Sequence, residues 1–268
     1  MDLPMPPPTR PPLPLTEYEV LSFDIYGSII EYKSHILHSF QPLLSRLPAS
    51  SPFLNPSPSS PTIEGAASRG AVEFLKLFQQ QEDAIKLELA THPRRFDEIL
   101  AEIWRRVAAQ LGVPTTADEA ARFGSADTIA SWPTFPGTWE ALHTTLAKHY
   151  KLIALSNIDS YAWAITAASP RSRLGEIPWF KLDTLIQFCT GLGIGRDKIL
   201  HVAQSLGHDQ APAKRAGLSS VWLVGDGFRW KGTAESQMAL DKGLVGYAWR
   251  FADLQAFAER AAAASTNS

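Results

Sequence analysis

From residue 137 onward, short apolar runs alternate with helical segments, and this alternation restricts the fold more than any other feature. "TWEALHTTLAKHY" has the spacing of an amphipathic helix and leads into the strand-like "KLIALSN". "ILHVAQS" is a second apolar run, followed by the helical "DQAPAKRAG" that ends on Gly217. "SSVWLVG" is a third, "GLVGYAWR" a weaker fourth, and "FADLQAFAERAAAA" closes the series as a helix. Apolar strands separated by helices predict a parallel sheet covered on both faces. "YEVLSFDIYG" supplies one more strand and turn of the same kind near residue 20.

The segments in between have a different style. "SHILHSFQPLLSRL" (34–47) spaces its apolar residues at helical intervals with Ser34 available as a cap. Stretches 63–90, 94–111 (Pro93 before it, Gly112 after it) and 117–131 also read as helices. "PASSPFLNPSPSSP" (48–61) is a Ser/Pro-rich loop. "MDLPMPPPTRPPLPL" is too proline-rich for a signal peptide and reads as a disordered or extended arm. The parse is therefore an arm over 1–15, an α/β core over 16–33 plus 136–268, and an all-helical insert over 34–135. The core is expected to be a Rossmann-like doubly wound parallel sheet.

Bulk properties exclude several classes of function. A net charge of −2, from 25 basic and 27 acidic residues, gives no nucleic-acid footprint. No apolar run approaches membrane-spanning length. The single cysteine, Cys189, excludes an intramolecular disulfide framework and fits a reducing, cytoplasmic setting. Its neighbours Phe188 and Thr190 bring no activating charge, so it reads as a packing residue.

In doubly wound sheets, ligands sit outside the carboxyl ends of the strands. The polar residues just after each expected strand are Asp24, Tyr26 and Ser28; Ser156 and Asn157; and Gln204, Ser205, His208 and Asp209, with Lys181 between the second and third groups. Each has a plain structural reading. Asp24 could form a turn, Ser156 and Asn157 an ordinary strand exit, and Asp209 the cap of "QAPAKRAG". His208 could be a loop or packing residue, and Lys181 a solvated one. Gly27 weighs toward the functional reading of Asp24, because it lets the backbone curl over a bound group. The order of the whole set carries more than any one member.

That order resembles the haloacid dehalogenase superfamily over residues 17–261. "FDIYGS", "ALSN" and "HVAQSLGHDQAPAKRAGL" look like its first, second and fourth motifs. A helical insert straight after the first motif is similar to the cap of the type II 2-haloacid dehalogenase branch. Within that branch the chain looks closest to dehalogenase-like proteins common in fungi. The resemblance implies that Asp24 attacks an electrophilic carbon or phosphorus to give an aspartyl ester. It implies that Lys181 keeps Asp24 ionised and that Asp209 orients or deprotonates the hydrolytic water. Tyr26, Ser28, Ser156, Asn157, Ser205 and His208 would line the substrate's seat, under a closing cap. The implied partner is a small molecule, and cap-to-core dimers in the branch imply a homodimer.

Departures from the pattern sharpen the expectation. Phosphatases of the superfamily carry an acid two residues after the nucleophile, where this chain has Tyr26, and Gly-Asp in the fourth motif, where it has Ala203-Gln204. That leaves Asp24 and Asp209 as the only candidates for Mg²⁺, and no cofactor or metal is expected. In the third motif two registers compete. Either Lys181 is the family lysine and its preceding strand is lost, or "FKLDTLI" is that strand and the lysine is deleted. The carboxylate-gripping arginine of the bacterial enzymes has no counterpart in a matching motif; Lys33 and Arg46 are the nearest cations. Two alternatives stay open: a specialised-metabolism enzyme acting on a larger apolar substrate, phosphorylated or not, and a binding protein with decayed catalysis.

Overall fold

The computed structural model describes residues 11–54, 69–89, 92–225, 241–243 and 246–266. Trp230, residues 55–61 of the Ser/Pro-rich loop and residues 1–10 of the expected arm lie outside them. The chain divides into two compact units. One comprises Met1–Glu31, Thr134–Asn157 and Gly175–Ser268; the other comprises Tyr32–Pro133 and Ile158–Leu174.

The first unit is an α/β sheet. Its strands are β1 (Val20–Phe23), β2 (Lys151–Leu155), β3 (Trp179–Phe180), β4 (Ile199–Ala203), β5 (Ser219–Leu223) and β6 (Trp249–Phe251). All pair in parallel in the order β3-β2-β1-β4-β5-β6. That is the doubly wound order, whose direction of progression reverses at β1. β1, β4 and β5 are buried along their whole length, because both faces are covered. Val20, Ile153, Leu155 and Ile199 pack on one face against Leu185 and Cys189 of α8 (Leu182–Gly191) and Ala213 of α9 (Ala211–Arg215). Leu21, Phe23, Leu200 and Val202, which alternate with them, are equally buried. Cys189 is a packing residue, and burial pushes its thiol upward.

Three local expectations are corrected. "TWEALHTTLAKHY" is wound as a π turn, Glu140–Thr145, and a 3-10 turn, Leu146–Lys148. At the start of the chain, Leu15 is buried at the head of a 3-10 turn, Leu15–Glu17. "FKLDTLI" is not a strand. The strand is the two-residue β3, just before Lys181, and Leu182 begins α8. A short apolar run does not by itself distinguish strand from buried helix.

The second unit contains only helices among its described residues. These are α1 (Lys33–Ser39), α2 (Gln41–Leu44), α3 (Arg69–Leu89), α4 (Phe96–Leu111), α5 (Ala117–Phe123), α6 (Ala126–Ala130) and α7 (Ser160–Ala168). Tyr32, not Ser34, occupies the cap position of α1. Phe40 centres the core, with ring centroids 4.5 Å from Trp104, 4.7 Å from Phe123 and 5.0 Å from Phe74. The expected single helix over 117–131 breaks at Gly124, where an added Cβ would collide with the Asp97 carbonyl. α7, which follows β2 in sequence, is held here by Asp159. One carboxylate oxygen accepts from Ala162 N–H at 2.7 Å, and the other from Phe96 N–H at 2.6 Å. A single side chain thus caps α7 and α4 together.

Candidate active site

The last rung of β1 is the Asp24 N–H, which donates to the Val202 carbonyl at 3.1 Å. The chain then reverses at once. Ile29 and Ile30 N–H both donate to the Ile25 carbonyl, at 2.9 and 2.8 Å, and Gly27 N–H donates to the Ile30 carbonyl at 2.9 Å. Gly27 sits at φ 94°, in the left-handed region that a side chain would disfavour. This loop brings the buried Ser28 back over the strand end. Ser28 Oγ donates to Asp24 Oδ2 at 2.5 Å and accepts from the Gln204 N–H at 2.9 Å. One hydroxyl therefore ties the Asp24 carboxylate to the end of β4. Tyr26 is half-buried in the same loop.

β2 delivers Ser156 and Asn157. Ser156 is buried, and its N–H donates to the Phe180 carbonyl at 3.3 Å. Its carbonyl accepts from Trp179 Nε1, also at 3.3 Å, so Trp179 fastens β3 to the end of β2. Asn157 is exposed. Lys181 caps α8 at the carboxyl end of β3. It is exposed and makes no ion pair or hydrogen bond with its side chain among the described residues, so it does not pair with Asp24.

After β4, Ser205 caps a π turn, Leu206–Gln210, by accepting from His208 N–H at 3.1 Å. Helical winding thus starts five residues before α9, and Asp209 is not a helix cap. Gln210 anchors the turn; its Nε2 donates to the Ala203 carbonyl at 3.0 Å and the Val221 carbonyl at 2.9 Å. π turns are concentrated at functional sites. This one presents His208 and Asp209 at the carboxyl edge of the sheet.

A cleft of about 70 Å³ opens there, lined by Ser156, Asn157, Leu182, His208 and Asp209, with His201 of β4 also in its wall. That volume holds a few waters or a very small group. His201 is buried, and its Nδ1 lies 3.0 Å from Ser22 Oγ. Burial pushes the imidazole down to about 4, with Ser22 opposing in part. At neutral pH it is uncharged.

The structure brings Ser156, Asn157, His208 and Asp209 to one cleft, and joins Asp24 to Ser28. Ser205 serves as a turn cap. Of the cations considered for substrate carboxylate binding, Arg46 is engaged with Glu119 and donates to the Pro114 carbonyl at 2.9 Å. Among the described residues, no group of three or more His, Cys, Asp or Glu is placed to hold a metal ion. Two features escaped the sequence reading. The Gln204 N–H has no side-chain signature, and His201 reads as one position within an apolar strand. The register that pairs Ser22 with His201 places both on one face, and alternation within either strand alone does not announce it.

No protein-family model matches the sequence, and no curated protein does. Solved structures do. A dehalogenase with an intermediate complex has 14% identity and TM-score 0.64, covering 92% of this chain and 98% of that one. The L-2-haloacid dehalogenase from Xanthobacter autotrophicus has 15% identity and TM-score 0.63, covering 90% and 97%. A predicted phosphoglycolate phosphatase from Haemophilus somnus has 16% identity and TM-score 0.54, covering 91% and 98%. The fold is like that of these haloacid dehalogenases, with an α/β unit and a helical unit. Among the described residues no helix is long and apolar enough to cross a membrane.

Proposed function

We propose that this chain, built on the haloacid dehalogenase fold, is a hydrolase that forms an aspartyl ester on Asp24 and needs no metal ion. The observation that carries the reading is the setting of Asp24. Its carboxylate stands at the end of the central strand, where the sheet order reverses, and is oriented by a buried hydroxyl that is itself fixed on β4. A carboxylate held this way spends little entropy in reaching an attack geometry. In the first step an Asp24 oxygen bonds to the substrate carbon as the halide leaves. In the second, water adds to the ester carbonyl, its proton passes to Asp209, and the product leaves as an alcohol.

Tyr26 favours carbon–halide over phosphate-ester chemistry, because a phenol replaces the carboxylic acid that would protonate a phosphate's leaving group. The test is halide release from 2-chloropropionate in the presence of EDTA. Asp24→Asn is expected to lower it about 10³-fold or more. Undiminished turnover by that variant, or release that requires Mg²⁺, overturns the proposal.

Lys181 favours a second reading, since it makes no ion pair with Asp24. In that reading the fold is retained as a binding protein. A chain that binds small carboxylates but forms no adduct on Asp24 with any haloacid would support it.

A further inference from the structure

His201 is not accounted for by the residues assigned above. It is a titratable side chain buried in mid-strand, where packing alone would call for an aliphatic residue. Its Nδ1 is taken up by Ser22, the facing residue on β1. Its Nε2 has no partner among the described residues, yet the ring lines the cleft that Ser156, Asn157 and Asp209 also line. The cleft walls also include Leu155, Leu182, Pro212 and Ala213, and a buried imidazole with one edge satisfied can take a hydrogen-bonding occupant there on the other. The cleft is large enough for water and small enough to hold it in few orientations.

We propose that His201 is a positioning residue for the water that hydrolyses the Asp24 ester. This inference rests on the aspartyl-ester reading given above. The water gives one hydrogen bond to the Asp209 carboxylate and one to His201 Nε2, which turns its lone pair toward the ester carbonyl. Its oxygen bonds to the Asp24 carboxyl carbon, one proton passes to Asp209, and the acyl–oxygen bond to the product breaks. The released oxygen takes up the second proton from the adduct. The Ser22 hydroxyl, which can accept as well as donate, accommodates the tautomer this role requires. With the imidazole proton on Nδ1, donated to Ser22 Oγ, the Nε2 lone pair is left to accept from water. A neutral ring performs this role without placing a second charge beside Asp209.

The test is turnover of 2-chloropropionate with rapid quenching and mass spectrometry of the Asp24 peptide. The variants are His201→Phe, His201→Gln and Ser22→Ala, each checked for folding by circular dichroism. His201→Phe is expected to form the Asp24 adduct at the wild-type rate and to hydrolyse it about tenfold more slowly or worse, so that the adduct accumulates while KM does not rise. His201→Gln, with a polar end toward the cleft, is expected to recover part of the hydrolytic rate. In the wild type, ¹⁵N shifts of the ring should show the Nδ1–H tautomer, and Ser22→Ala should shift that balance. If His201→Phe does not fold, His201→Gln and Ser22→Ala carry the comparison. A wild type that forms adduct, beside variants that clear it at the wild-type rate, overturns the role of His201 alone. A wild type that forms no adduct overturns the aspartyl-ester reading and this inference with it.

Discussion

Ser28 Oγ lies 2.5 Å from Asp24 Oδ2, and the same oxygen accepts the Gln204 N–H at 2.9 Å. One hydroxyl therefore spans the strand end that bears the candidate nucleophile and the strand end that leads to Asp209. Ser28→Ala would remove a bond to a carboxylate and leave a backbone N–H without its acceptor. The expected loss is about 2–3 kcal/mol in urea unfolding, with adduct formation at Asp24 slowed more than substrate binding is weakened. Ser28→Thr keeps the hydroxyl and should recover much of both.

Asp159 gives a test that separates stability from chemistry. Its two oxygens cap α7 and α4, so Asp159→Ala should cost about 1–3 kcal/mol. Amide exchange should accelerate first at Phe96 and Ala162. Asp159→Asn, which retains one acceptor oxygen, should lose less.

Acid sensitivity should occur in two windows. His201 titrates near 4 when folded and near 6.5 when unfolded, so between those values the unfolded chain binds more protons. Stability should fall as pH drops from about 6.5 to about 4, and His201→Phe should flatten that slope. Glu119 is held down at about 2, first by its bond to Arg46 and then by Thr116 and Thr115. Its contribution is present above the ordinary carboxylate range and is lost as pH falls toward 2. Arg46→Ala should reduce the slope there alone. Thermal melts across pH 2–8 would read both.

Lys181 is exposed and makes no ion pair among the described residues. Lys181→Ala should leave unfolding within about 0.5 kcal/mol of the parent, so any change in turnover reports chemistry alone. A fall in adduct formation at Asp24 is expected if this lysine reaches the carboxylate during the reaction. An unchanged rate removes it from the mechanism.

The sheet was legible because its central strands are largely apolar, Ser22 and His201 apart; "VLSF", "LIAL" and "ILHVA" are each followed by a polar residue. β3 was not. Two residues after Pro178 carry no periodicity, and the run behind them suits a buried helix as well as a strand. The break at Gly124 was equally hidden; the glycine leaves room for the Asp97 carbonyl of α4, a contact distant in sequence, and Ser125 caps the next helix. In the site, Gly27 announced the turn after Asp24. The bond from Gln204 N–H to Ser28 could not be read, since a main-chain donor looks the same at every position. Asp209 could be read as a cap only while the preceding "SLGH" was taken as loop; Ser205 capping the π turn removed that reading.

The pairing of β1 also governs how the chain assembles. Val20 finds its neighbours at Lys151 and Ile199, so the strand that centres the sheet is made early and must wait for both partners. Until then its four buried residues are an unpaired apolar edge, and the contacts that seat Asp24 are among the most distant in sequence. Such pairing is entropically slow to close and exposes the chain to misassociation on the way. During synthesis α1 to α6, with their local contacts, can form before β2 and β4 exist, whereas α7 joins them only after β2 has been made.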